Sequence, residues 1–315
     1  MPKKITFWFI IFVFAVFILF RFTSGSVWDG SGKISLVIIS NPLLLVTFDK
    51  PEETASVISI PSNTFINVPY GYGSYKISSI YPLGELEPKR GGGRLLASTI
   101  ESVFGVPVDG FIGGKKGVFE NIIINNKEDY LSVKMSLFSL KNLFNPFAVA
   151  GFVKSNINTN LSSYDILRLW LEFRNIRFDK VSVYNLSHLD ILSDEKLPDL
   201  SQVKIIDPDK LDKVLEGVFE DSKVREENLS IVVTNTSGVL GIAASCGRII
   251  ANMGAKLVAT QTGDTANERC IIKGDAHSLK SYTATRLRRI WGCKEGKGSA
   301  GQGDLTVTIG RDFNK

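Results

Sequence analysis

Residues 230–254 read SIVVTNTSGVLGIAASCGRIIANMG, and this stretch changes periodicity at its midpoint. Ile231, Val232 and Val233 are β-branched and consecutive, the composition of a short buried strand. Asn235, Ser237 and Gly238 follow, residue types that turn a chain tightly and offer side-chain oxygens to free backbone N–H groups. Helical spacing then takes over. Val239, Ile242, Cys246, Ile249, Ile250 and Met253 recur at three- and four-residue intervals, with Gly241, Ala243, Ala244 and Gly247 thinning the neighbouring surface for close packing and Gly254 as the stop. A strand, a tight turn and a small-residue helix in direct succession predict an α/β unit.

The chain beyond it continues the alternation. Ala255–Ala259 reads as a second strand, Arg269–Lys273 as a third, Leu279–Trp291 as a helix and Asp304–Ile309 as a last strand before Gly310-Arg311-Asp312. With the turn Asn235, Ser237, Gly238 and Gly241, this order resembles the C-terminal domain of LytR-CpsA-Psr (LCP) proteins, and the resemblance covers residues 229–315.

The protein has 315 residues, 44% of them apolar and 22% charged, enough to bury two ordinary cores. At the N-terminus, Met1-Pro2-Lys3-Lys4 precedes an apolar run from Ile5 to Phe22 broken only by Thr6 and Arg21. At about 1.5 Å per residue a helix of this length reaches about 27 Å, close to one hydrocarbon thickness. Thr23-Ser24-Gly25-Ser26 is a poor cleavage site, so the reading is an uncleaved anchor in the plasma membrane lipid. Lys3 and Lys4 place its tip in the cytoplasm and the bulk of the chain outside.

Three cysteines in an exported chain allow one bridge and one free thiol. Cys270 in the third strand and Cys293 after the helix are the natural disulfide pair, with Cys246 a buried apolar residue; a fully reduced set is the alternative. His188 and His277 are far apart in sequence and have no cysteine or carboxylate cluster at ligand spacing, which removes support for zinc and for a histidine-based triad.

Between anchor and C-terminal domain, Lys33–Ile39, Leu43–Phe48 and Ser56–Ile60 are near-continuous apolar strands. Three stretches then follow in order: Val57-Ile-Ser-Ile-Pro-Ser-Asn-Thr64, Lys76-Ile-Ser-Ser-Ile-Tyr81 and Thr99-Ile-Glu-Ser-Val-Phe-Gly-Val-Pro-Val-Asp-Gly110. They resemble the SIPRDT, KINxAY and TVExLxGIPIDxY motifs of the LCP catalytic domain. The resemblance implies an α/β/α domain with a central mixed sheet. It also implies a family activity: phosphotransfer of a glycopolymer from a polyprenyl-pyrophosphate carrier to peptidoglycan, in cell-wall assembly.

The chemistry-bearing positions depart from that pattern. Holding a pyrophosphate calls for a carboxylate on a divalent cation and for arginines that grip phosphate oxygens bidentately. Here the family's Ser-Asp-Thr falls on Ser40-Asn41-Pro42, and the Arg-Asp of SIPRDT on Ser62-Asn63. Asn41 can offer an amide oxygen to Mg²⁺, but without formal charge its hold is weaker. The family's RxxRQ helix aligns with Tyr130–Leu137, where Lys134 is the one cation, and a helix-like stretch spans Asp129–Asn142. After Phe111-Ile112 the chain runs through Gly113–Gly117 with a shortened lipid-walling segment. Residues 161–189 fit the domain's closing helix and strand, with Leu161–Ser163 as N-cap and Ile166, Leu167, Trp170 and Phe173 on the buried face.

Residues 193–228 read as a charged connector with a short amphipathic helix over Leu211–Phe219. Residues 229–315 hold 12 Lys and Arg against 6 Asp and Glu, a surplus of 6 that exceeds the net +5 of the whole chain. Arg286, Arg288, Arg289, Lys294 and Lys297 cluster near the last helix, either as a contact for anionic wall polymer or headgroups or as a solvated helix end. Nucleic acid does not fit an exported domain. The expected layout is an α/β chain with a tip and transmembrane anchor (1–26), a degenerate LCP-like domain (27–192), the connector (193–228) and a LytR C-terminal domain (229–315). Two functions follow: a catalytically silent envelope protein with a binding or scaffolding role, or an active phosphotransferase. The second would recruit Asn41 and Asn63 with phosphate ligands Lys76, Arg90 and Arg94, the last two flanking Gly91-Gly92-Gly93, which either presents backbone N–H groups to phosphate or is a flexible loop.

Overall fold

The computed structural model describes residues 25–87, 90–114, 122–137, 157–197 and 200–314. The elements in chain order are β1 (Lys33–Ile39), β2 (Leu43–Asp49), β3 (Thr54–Ile60), β4 (Thr64–Val68), β5 (Gly73–Lys76), α1 (Ile77–Glu85), α2 (Gly92–Phe104), β6 (Gly110–Gly114), α3 (Lys127–Leu137), β7 (Ile157–Thr159), α4 (Ser163–Asn175), β8 (Val181–Asn185), β9 (Leu192–Lys196) and β10 (Gln202–Ile206). They continue with α5 (Pro208–Val214), α6 (Ser222–Glu227), β11 (Ser230–Asn235), α7 (Ile242–Asn252), β12 (Lys256–Thr262), β13 (Cys270–Gly274), α8 (Tyr282–Trp291), β14 (Lys294–Glu295) and β15 (Leu305–Ile309). The expected anchor falls almost wholly on residues outside this description. Among the described residues no helix is long and apolar enough to cross a membrane.

A six-stranded mixed sheet, β7-β6-β1-β2-β3-β8, forms the centre of the N-terminal half. Its strands are apolar on both faces because helices cover both. Val37, Leu43, Leu45, Ile58 and Ile60 point to one core with Ile77, Ile80, Leu95, Leu96, Ile100 and Leu211 of α1, α2 and α5. Ile34, Leu36, Leu44, Val46 and Val57 point to the other, with Tyr130 of α3 and Leu169 of α4. The alternation along each strand is the two-residue period of the pleat. At the start of α4, Ser162 and Asp165 form a reciprocal capping box, and Asp165 also accepts the backbone N–H groups of Val27 and Trp28, tying the segment before β1 to this face.

A second sheet, β5-β4-β10-β9, takes in strands of the segment 193–228 that the sequence reads as a charged connector. β10 lies parallel to β4, Lys204 opposite Thr64, and antiparallel to β9. Leu211, Leu215 and Phe219 enter the N-terminal core. The segment is charged because its outer face is exposed, yet its inner face is structural.

The C-terminal half carries a five-stranded sheet, β12-β11-β15-β13-β14, with α7 and α8 packed into one core against Ile231, Val233, Ile272, Val307 and Ile309. Cys246 is buried there and its thiol is pushed up to about 12 by that burial; Cys270 and Cys293 are disulfide-bonded. The helix begins later than the spacing suggests. Gly241 is its N-cap, with a positive φ of 80°, so Val239 and Leu240 lie outside it and are exposed, and Ala244 faces solvent.

The two halves meet through buried charge. Arg286 of α8, 2% exposed, clasps Asp109 bidentately, Nη2 donating to Oδ2 at 2.8 Å and Nη1 to Oδ1. Burial opposes the Arg286 charge, but Asp109 beside it outweighs that and raises its pKa above the ordinary value. The Asp109 carboxylate also accepts the Ser35 N–H at 2.8 Å, fixing it to β1. Asp221 lies 3.8 Å from the Arg286 Nε, accepts the Tyr282 hydroxyl at 2.8 Å and the Lys33 N–H at 3.3 Å, and its pKa is raised by burial. Arg248 of α7 donates to Asp212 at 2.8 Å and to the Ser102 and Val103 carbonyls of α2. The cation cluster read from the sequence is thereby largely consumed within the chain, Arg288 by Glu295 and Arg289 by Asp29.

Removing one partner of a buried pair strands the other charge, at a cost of about 3–5 kcal/mol. Arg286→Met or Asp109→Asn is therefore expected to lower unfolding stability by about that amount in urea titrations. The double variant Arg286→Met with Asp109→Leu, which removes both charges, should lose less than either single change.

Candidate functional site

The registers of the six-stranded sheet bring several loops to one rim. Leu43 pairs with Ile60, Ile39 with Gly113, Gly113 with Asn158, and Ser59 with Asn185. The β1–β2 turn with Asn41, the β3–β4 turn with Ser62 and Asn63, and the ends of β6 and β8 thus lie side by side, beyond the carboxyl ends of the parallel strands, where open α/β sheets take their ligands. Asn41 is exposed at the hairpin tip, whose turn is closed by the Ser40 hydroxyl donating to the Pro42 carbonyl at 2.6 Å. The Ser62 carbonyl accepts from the Ser78 N–H of α1 at 3.3 Å, and the Asn63 carbonyl from the Lys204 N–H at 3.2 Å. Lys76 ends β5 and stands at the N-cap of α1, half-buried.

Amides dominate the rim. Asn158 donates to the Tyr81 hydroxyl at 2.8 Å, and Asn185 to the Asn125 side-chain oxygen at 2.8 Å. These three asparagines carried no motif and the sequence reading missed them; the signal that could have found them is their position at strand ends and just ahead of α3. Tyr81 has its pKa raised by burial. Glu85 is occupied, its Oε1 accepting the Gly92 N–H at 2.8 Å. Among the described residues no three His, Cys, Asp or Glu side chains group at metal-ligand spacing. Among the described residues the motif positions Asn41, Ser62 and Asn63 offer neutral oxygens and Lys76 a cation, a set that does not suit Mg²⁺; the neighbouring carboxylate of Asp129 accepts the Asn125 N–H at 2.9 Å. Lys134, aligned with the arginine-rich helix, is turned to the Ile176 carbonyl at the end of α4.

Arg90 and Arg94 belong elsewhere. The triple glycine between them is no flexible loop: Gly91, with φ 74°, is the N-cap of α2. A Cβ on Gly92 would come within 2.3 Å of the Tyr81 carbonyl oxygen, and one on Gly93 within 2.2 Å of the Phe111 ring, so the glycines let α2 dock closely. Arg90 and Arg94 line a cleft of about 280 Å³ between α2 and the C-terminal half, with Glu101, Asn160, Arg269, Ile290 and Phe313. Arg90 pairs with Glu87 and lies 4.0 Å over the Tyr70 ring.

The C-terminal turn is built as an interlocked pair of side-chain bonds. The Asn235 side-chain oxygen accepts from the Ser237 N–H at 3.0 Å and from its hydroxyl at 2.7 Å, while the Asn235 amide donates to the Val239 carbonyl at 2.8 Å. Gly238 and Gly241 supply the positive φ values, 79° and 80°. Asn235 and Ser237 are buried and mutually satisfied, which gives the motif a structural role in holding β11 to α7.

No family model matches the chain. One curated relative is 31% identical over 85 residues: the polyisoprenyl-teichoic acid–peptidoglycan teichoic acid transferase TagT of Bacillus subtilis, a member of the LytR-CPS2A-Psr family. The match spans 27% of this chain and 24% of TagT, so the chain aligns with about a quarter of that relative's length. Among solved structures, Bacillus subtilis TagV is 16% identical with a TM-score of 0.44, covering 58% of this chain and 94% of that one. TagT bound to LIIa-WTA is 18% identical with a TM-score of 0.42, covering 59% and 90%. TagT with bound octaprenyl pyrophosphate lipid is 18% identical with a TM-score of 0.38, covering 59% and 89%. The motifs at 57–64, 76–81 and 99–110 and the match to TagT make this part of the chain similar to LytR-CpsA-Psr proteins.

Glu101 is the one strongly shifted carboxyl bordering the cleft. Burial pushes it up to about 7 against the hydrogen bond it accepts from the Val108 N–H. Its folded pKa lies above the ordinary value of 4.5, so the protonated form favours folding and that stability is lost as pH rises from 4.5 through about 7. Glu101→Gln should flatten the fall of the urea midpoint across this window, as read in titrations at successive pH values.

Proposed function

We propose that the protein is a catalytically silent member of its family, with a binding or scaffolding role in cell-wall assembly. The observation that carries the reading is the neutral rim: Asn41, Ser62 and Asn63 stand where the family motifs have acidic and arginine residues, and their registered neighbours Asn158 and Asn185 are amides. Amides and hydroxyls can hydrogen-bond a carrier-linked glycan, but they cannot offset the charge that develops on phosphoryl oxygens during transfer. Lys76 adds one cation, too few to hold a pyrophosphate and drive its cleavage.

The remaining assignments belong to the same reading. Residues 1–26 anchor the chain in the plasma membrane, because their apolar length matches a bilayer and Lys3 and Lys4 flank it on one side. Residues 229–315 act as a LytR C-terminal domain, clamped to the N-terminal half by Arg286 and Arg248. The partners are a polyprenyl-linked glycopolymer or peptidoglycan, bound without turnover.

The test is to incubate the full-length protein in detergent with Mg²⁺ and a short polyprenyl-pyrophosphate disaccharide, following both loss of substrate and its retention on the protein. Retention without loss is expected. Mg²⁺-dependent turnover by the unaltered protein would establish the active transferase instead. The double variant Asn41→Asp with Ser62→Arg is expected to bring detectable Mg²⁺-dependent turnover, since it restores charge to the rim.

A further inference from the structure

The cleft between α2 and the C-terminal half has a composition unlike the rim. One wall is a single face of α2, where Arg94, Ala97, Ser98 and Glu101 follow at helical spacing. The C-terminal half contributes Arg269, Ile290 and Phe313, and Tyr70, Phe111 and Asn160 complete the lining. Arg269 is held in place by its Nε donating to the Trp291 carbonyl at 3.1 Å and by the Phe313 ring, 5.8 Å from its guanidinium carbon. Among the described residues Arg94 makes no ion pair. Of the two acidic residues of the lining, Asp109 is spent on Arg286, and the Glu101 carboxylate accepts the Val108 N–H at 2.9 Å. Tyr70 donates its hydroxyl to Ser98 at 3.1 Å and carries the Arg90 guanidinium over one ring face at 4.0 Å, which leaves the other face for a ligand.

We propose that this cleft binds an anionic saccharide, a sugar ring carrying a phosphate or a carboxylate, with Arg94 and Arg269 gripping the anion and the Tyr70 and Phe313 rings packing on the sugar. Guanidinium groups contributed to one cleft by both halves of the molecule suit an oxyanion. Aromatic faces match the C–H face of a pyranose, while Ser98 and Asn160 offer polar atoms to its hydroxyls. A volume of about 280 Å³ is at the small end of ligand sites and takes one sugar unit, not a lipid chain. The site forms only where the two halves meet, so docking through Arg286 also builds the pocket. It is separate from the sheet rim and does not depend on the rim being silent.

Calorimetric titration of the full-length protein with glucose 1-phosphate, glucuronate, inorganic phosphate and glucose tests this. Glucose 1-phosphate or glucuronate should bind at least about tenfold more tightly than inorganic phosphate or glucose, consistent with a charge-assisted contact plus ring packing. Arg94→Gln should weaken that binding about tenfold or more, whereas Lys213→Gln, an equal charge change at an exposed residue outside the cleft, should leave it unchanged. The better of the two charged sugars identifies the anion as phosphate or carboxylate. The proposal is overturned if neither charged sugar binds, if inorganic phosphate binds as tightly, or if Arg94→Gln has no more effect than Lys213→Gln.

Discussion

The ion pair between Arg286 and Asp109 is the constraint on which the arrangement of the molecule depends. Arg286 comes from a helix of the C-terminal sheet and Asp109 from the turn into β6, and both are almost fully buried. A buried charge is costly unless it is paired; Arg286 is paired through both Nη atoms, and its Nε makes no hydrogen bond among the described residues. Here Asp109 is additionally fixed by Ser35 of β1, and Asp221, which faces the same guanidinium, is fixed by Tyr282 and Lys33. One pair therefore sets the orientation of the C-terminal half against the central sheet. The fit is close elsewhere along the same boundary: a Cβ on Gly32 would come within 1.9 Å of the Tyr282 hydroxyl oxygen.

That constraint assigns roles within the motif over residues 99–110. Glu101 accepts from the Val108 N–H and closes the loop at the end of α2, and Asp109 receives Arg286. Both residues serve the architecture, in a chain whose motif positions at Asn41, Ser62 and Asn63 are neutral. The glycines at 91–93 follow the same logic, since they let α2 approach Tyr81 and Phe111.

The sequence disclosed what is local. The three central strands appear where apolar runs placed them, and the turn at Asn235 is formed by the residues that its chemistry selects. What it could not disclose depends on contacts distant in the chain. β10 pairs with β4 across about 140 residues of sequence, and no local pattern distinguishes such a strand from a charged linker. Arg286 read as part of a surface cluster, either a contact for anionic polymer or headgroups or a solvated helix end, because burial of a cation is decided by Asp109, 177 residues away. Val239 fitted the helical spacing, yet the positive φ at Gly241 delays the helix. At the rim, the departures at Asn41, Ser62 and Asn63 were legible, whereas the company of Asn125, Asn158 and Asn185 needed strand register to be seen.

The central claim is that the rim lacks the charge to hold a catalytic cation. Its most direct test is the affinity of the full-length protein for Mn²⁺ in place of Mg²⁺, read by the loss of the free-ion electron paramagnetic resonance signal in the unaltered protein and in Asn41→Ala. The account predicts binding weaker than about 1 mM that does not change with Asn41→Ala, since a site of neutral oxygens cannot recover the cost of dehydrating the cation. Tight binding that disappears in Asn41→Ala would contradict it.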